Sequence, residues 1–181
     1  MTSTCCRWTC LLACLVWPGL SWAGCTDALN RLEALQSVVV ARHAAQDALV
    51  GARRSAQDFK NLLLRGSDPV KVQVLSQRFE DNAHSYKKHL ATLYRQLLAI
   101  PSEEERAKLL EQERELLFGG YRKALQTHDV RQIEEALAAD KAVLGSDVKT
   151  FRALEQTIES LNAQTDEAFQ KLHFTLSSCV R

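Results

Sequence analysis

The chain has 181 residues, enough for one domain with a sizeable core and too few to expect two. Its 23 Lys and Arg stand against 22 Asp and Glu, which excludes the strongly basic field that nucleic-acid binding requires. Seven Gly and three Pro in a background rich in Ala, Leu, Gln, Glu, Lys and Arg favour helix, and no alternating strand pattern with flanking turn signals occurs.

The N-terminal segment differs from the rest. Arg7 is the only charge before Asp27, and an apolar run from Trp8 to Val16 is followed by Pro18 and Gly19. Ser21-Trp22-Ala23 is the small-x-small pattern after which a signal peptidase cuts. The apolar run falls short of the ~20 residues that a permanent span needs. Residues 1–23 are therefore read as a cleaved export signal and 24–181 as a single helical-bundle domain. Of six cysteines, Cys5, Cys6, Cys10 and Cys14 lie in the signal, so the mature chain keeps Cys25 and Cys179. An even pair in an oxidising compartment is read as a disulfide.

Three breaks divide the mature chain. At Gly66-Ser67-Asp68-Pro69, Gly66 ends one helix, and Asp68 caps the next with Pro69 at its first position. Pro101 stops the second block, and Ser102 with Glu105 forms a capping box for the third. Gly145-Ser146-Asp147 is another stop followed by a cap. The spacing predicts blocks over 26–65, 69–99, 102–144 and 147–178, each about 45–65 Å long at 1.5 Å per residue. Short connections place consecutive helices side by side in opposite directions. The expected fold is all-α, an antiparallel up-down-up-down four-helix bundle with long helices. Its third helix carries two candidate breaks, Gly119-Gly120 and a cap-like Thr127-His128-Asp129.

Apolar periodicity is strongest in the last block. Phe151, Leu154, Ile158, Leu161, Thr165, Ala168, Leu172, Thr175 and Cys179 follow in steps of three and four, a coiled-coil-like seam. The first block opens with Cys25, Ala28, Leu32, Leu35 and Val39 at the same spacing. Both cysteines are in phase with their seams, and an even number of helices returns them to one end. A Cys25–Cys179 bond closing so long a loop would stabilise the fold by ~5 kcal/mol in the chain-entropy model. The alanines from Ala41 to Ala56 serve close helix packing.

No phosphate loop, HExxH helix, GxSxG elbow or haem-attachment motif occurs, so no catalytic residues and no enzymatic activity are expected. His43, His84, His89, His128 and His173 are scattered, and neither a metal nor a cofactor is assigned. Residues 26–100 carry 11 basic and 7 acidic side chains, and residues 101–181 carry 11 and 15. This asymmetry draws the two hairpins together. Its functional reading is a basic docking face of Arg53, Arg54, Lys60, Arg65, Lys87 and Lys88, beside His89. Tyr86 fits the apolar stripe and is assigned to the core.

Trp22-Ala23-Gly24-Cys25 resembles the bacterial lipobox at its last three positions and departs at the first, where Leu is usual. A lipidated Cys25 would put the protein on a membrane and leave Cys179 unpaired. The functional expectation is a non-enzymatic protein of the periplasm or cell exterior, binding another envelope or secreted protein as an adaptor, chaperone-like factor or secretion accessory. The alternative is a module holding a small molecule or haem between helices.

Overall fold

In the computed structural model, the backbone is described for residues 7–100 and 102–179, and side chains for 26–100, 102–112 and 117–177. The fold is all-α, with no strand among the described residues. The helices are α1 (Arg7–Leu64), α2 (Pro69–Leu98), α3 (Glu104–Thr127), α4 (Ile133–Val143) and α5 (Ser146–Cys179). α2 and α5 match their expected blocks, α1 ends where the first block was expected to end, and the third expected block, 102–144, is divided into α3 and α4. The side chains of Cys25 and Cys179, and those of the segment read as the export signal, lie outside the described residues.

The ends of the helices follow their cap chemistry. Asp68 is extended at φ −106° and accepts the Lys71 amide at 3.2 Å, with Pro69 opening α2. Hydrogen bonds from Lys71 hold the Asp68 carboxyl below the usual aspartate range. Gly145, at φ +86°, makes the left-handed turn that ends α4 and releases α5, and the Ser146 hydroxyl donates to the Val143 carbonyl at 2.7 Å.

The third block differs from expectation in three ways. Gly119-Gly120 does not break α3, because Leu117, Phe118, Tyr121 and Ala124 bury one continuous face there. That burial outweighs the ~1 kcal/mol which each Gly costs in a helix. The other expected break, at His128-Asp129, does occur, between Thr127 and Ile133, but the N-cap of α4 is Gln132 rather than Asp129. Asp129 instead closes the turn, accepting from the Arg131 amide at 3.2 Å and from its guanidinium at 2.7 and 2.9 Å. The Ser102–Glu105 box also gives way. The N-cap of α3 is Glu103, whose carboxylate is drawn into the bundle by Arg106 Nε at 2.7 Å and the Ser160 hydroxyl at 3.0 Å.

The Arg131 contacts pull the Asp129 carboxyl down to about 2, below the ~3.9 of an unstructured aspartate. A depressed folded value means that the turn's extra stability is fully present above about pH 4 and is lost as pH falls through 2. Thermal melts of the wild type and Asp129→Asn should therefore differ most above pH 4 and converge toward pH 2.

The chain forms two compact units. The larger spans Ser37–Asn162, and its core is one cluster drawn from all five helices. In α2 the buried positions are Leu75, Phe79, Ala83, Tyr86, Leu90, Leu93 and Leu97, steps of three and four that keep one stripe inward. The α1 alanines 41, 44, 45, 48, 52 and 56 are all buried, as expected. Their small side chains let α2 come close. At Gly51 a Cβ would lie 3.3 Å from the Cβ of Tyr86.

At the middle of this core, Phe118 has ring centroids 5.7 Å from Phe79, 5.1 Å from Tyr86 and 6.3 Å from Tyr121. Tyr121 stacks on Phe59 at 4.6 Å. Its hydroxyl is buried with no hydrogen-bond partner among the described residues, and burial pushes its pKa up. A buried hydroxyl without a partner is costly. Tyr121→Phe should therefore raise stability by about 1 kcal/mol in urea unfolding.

Polar ties fix the register. Asp58, 1% exposed, receives Arg78 at 3.0 Å and Asn82 at 2.8 Å. Further along the same pair of helices, Asp47 lies 3.6 Å from His89. Arg122 Nε donates to Glu80 at 3.0 Å, joining α3 to α2 and holding the Glu80 carboxyl below its usual range. Arg106 donates to the Gln156 carbonyl of α5 at 2.9 Å.

The smaller unit comprises α1 up to Gln36 and α5 from Ala163. Ala28, Leu172 and Thr175 are buried in it. Leu32, expected in the seam, is exposed, as are Leu29, Phe169, Phe174 and Leu176. With two helical segments to share, this unit covers one side of each and leaves the rest open.

Candidate functional site

A largely apolar concave surface lies in the larger unit, between the last turns of α1 and the outer face of α4. Lys60, Leu63 and Leu64 line it from α1, and Ile133, Ala136, Leu137 and Asp140 from α4, enclosing about 520 Å³. Sequence placed Lys60 on a basic face but gave no sign of the groove.

The groove exists because α4 is two-sided. Glu134 and Glu135 in its first turn and Lys141 in its last suit the helix dipole. Ala139 and Val143 are buried and turn α4 toward the core. About 100° round the helix, by its 3.6-residue repeat, Ile133, Leu137 and Leu144 remain 80%, 58% and 81% exposed. Leu64, across the groove on α1, is 81% exposed. A contiguous exposed apolar patch with polar edges is the mark of an interaction surface, whereas single exposed Leu residues are ordinary.

Its walls are held in place. At the end of α1, a Cβ on Gly66 would lie 2.0 Å from the Val130 carbonyl oxygen, so the α1–α2 loop is seated against the α3–α4 turn. His128 Nδ1 lies 2.7 Å from Glu135 Oε2, tying that turn to the first turn of α4.

The sequence-predicted basic residues have different surroundings. Arg53 pairs with Glu155 of α5, and its guanidinium lies 6.0 Å from the centre of the Phe151 ring. Arg54 is exposed on α1, Lys87 half-buried and Lys88 exposed on α2. Arg65 lines a smaller groove of about 300 Å³ between α1 and α2, with Lys71 and Arg78 nearby. There Lys71 is paired with Asp68 and Arg78 with Asp58, so two of its three cations already have counter-ions. Lys60 alone of the predicted set reaches the α1–α4 groove.

Two carboxylate clusters were not foreseen, Asp58 with Arg78 and Asn82, and Glu103 with Arg106 and Ser160. Partners 20 or more residues apart in sequence leave no local pattern, except for Arg106 three residues after Glu103. Both clusters tie helices together. Glu103 is 4% exposed, and Arg106 beside it borders a third groove with Ser102, Leu109 and Gln156. Among the described residues, no group of three or more His, Cys, Asp or Glu could hold a metal ion. No helix among them is long and apolar enough to cross a membrane. Compared with known proteins, the chain matches no family model, and no curated protein or solved structure is significantly similar to it.

Proposed function

We propose that this chain is an exported, non-enzymatic helical protein that binds another protein in the bacterial periplasm or outside the cell, as an adaptor, chaperone-like factor or secretion accessory. The observation that carries the reading is the α1–α4 groove, whose lining residues Leu64, Ile133 and Leu137 are all exposed. Covering such side chains on binding is favourable by about 25 cal/mol per Å² of apolar surface, before the costs of association. The groove's shape suits the apolar face of a helix.

Export rests on the signal pattern of residues 1–23 and on the two cysteines left behind it. In this reading Cys25 and Cys179 form a disulfide in the mature chain, and the protein reaches a membrane only if Cys25 is lipidated instead. The antiparallel up-down-up-down order belongs to the same reading. It is supported by the pairs Asp47–His89 and Asp58–Asn82, whose sequence order runs opposite along α1 and α2.

The test is affinity capture from the native envelope with wild type and Leu137→Asp side by side. Leu137 is largely exposed, so the variant folds. The reading expects a defined protein to be retained by the wild type and lost by the variant. Recovery of no protein, or equal recovery by both, would defeat it.

A further inference from the structure

We infer that the occupant of the α1–α4 groove is the same groove of a second copy of this chain, joined through a two-fold axis. This rests on the groove being a docking surface and goes further by naming what docks.

The first observation is the spacing on α4. Ile133, Leu137, Asp140 and Leu144 follow in steps of four, three and four. That is the seam spacing which, on α2, is covered throughout. Its three apolar members, Ile133 and Leu137 on α4 and Leu144 at its C-cap, stay exposed. The outer face of α4 therefore has the pattern of a helix that packs against another helix, while across the groove it meets only the last turns of α1, where Leu64 is itself exposed.

The second observation is charge. The polar residues of the groove are one cation, Lys60, and one anion, Asp140. Neither forms an ion pair among the described residues. A surface holding one charge of each sign complements itself under a two-fold rotation, because each residue pair across the axis occurs twice. With the two α4 helices antiparallel, Ile133 lies opposite the second copy's Leu144, and Leu137 opposite its Asp140. Each Asp140 then enters the other copy's groove, beside Lys60 and Leu64. An acidic partner, the kind a basic face would recruit, meets Asp140 and the neighbouring Glu134 and Glu135 instead. Like charges brought together there oppose it.

Sedimentation equilibrium on the protein as purified from its host, across a range of concentrations, tests this. The inference expects a monomer–dimer equilibrium. Leu137→Glu should weaken it about a hundredfold with unchanged helicity and melting. Lys60→Glu and Asp140→Lys should each weaken it about fivefold. The double variant Lys60→Glu/Asp140→Lys should return to near the wild-type constant, since exchanging both charges restores the pair across the axis. A monomer at every concentration would overturn the inference, as would a dimer indifferent to Leu137→Glu or a double variant no tighter than the singles. If the wild type is monomeric yet captures a different protein through Leu137, the docking surface stands and the second copy is excluded. If it is monomeric and captures nothing, both readings fall.

Discussion

Phe118→Ala is expected to lower stability by about 4 kcal/mol, among the largest losses that one substitution can produce in this chain. Phe118 is fully buried and is the ring that Phe79, Tyr86 and Tyr121 share, which joins α2 to α3 at the centre of the larger unit. Truncation removes the transfer energy of the ring and leaves a cavity whose walls are other rings, too stiff to collapse fully. Urea unfolding should show an earlier midpoint with little change in slope. Phe118→Leu, which keeps most of the volume, should cost only about 1 kcal/mol. Equal losses for both variants would mean that the cluster is not packed as described.

Gly66→Ala is expected to cost about 3 kcal/mol, for a reason that propensity does not foresee. In a loop, Gly to Ala ordinarily helps by reducing the freedom of the unfolded chain. Here a methyl group would lie 2.0 Å from the Val130 oxygen and 2.5 Å from its carbonyl carbon, and both are backbone atoms that cannot rotate away. The α1–α2 loop would have to lift from the α3–α4 turn, the same contact that steadies the groove. Gly119→Ala provides the contrast. Nothing lies within 4 Å of its Cβ position, and it sits inside α3. That variant should gain about 0.5–1 kcal/mol. Melting temperatures shifted in opposite directions by the two substitutions would establish the loop contact, and two shifts of the same sign would contradict it.

These glycines also mark how far the sequence could be read. Gly66, Asp68, Pro69 and Gly145 each have a local consequence, a stop, a cap or a left-handed turn, so those boundaries were legible. In the seam of α5, Leu154, Leu161, Leu172 and Thr175 are buried, and with the buried alanines of α1 they were legible for the same reason, since periodicity assigns a face to every residue. Periodicity says nothing of whether that face is covered. Leu32 keeps the seam spacing but belongs to a unit of two helical segments, where burial runs out. Ile133, Leu137 and Leu144 read as more of a long third helix until the break at 128–132 turned them outward.

The candidate site was less legible than the fold. Of the six basic residues singled out, only Lys60 lines the groove, because like charges on one helix do not reveal which neighbours will neutralise them. Arg53 is answered by Glu155 from the other end of the chain, a pairing that sequence spacing could not indicate. Glu103 stands at the N-terminus of α3, and its contact with Ser160, 57 residues on, left no local pattern to read. The groove itself is a property of two helices more than sixty residues apart, α1 at its last turns and α4.

The most direct test of the account is photocrosslinking in the native envelope with a photoreactive residue at position 137, and at exposed Gln77 of α2 as control. The account predicts a discrete protein adduct from position 137 and none from position 77. No adduct at 137, or the same adducts from both positions, would contradict the claim that this protein acts through the groove between α1 and α4.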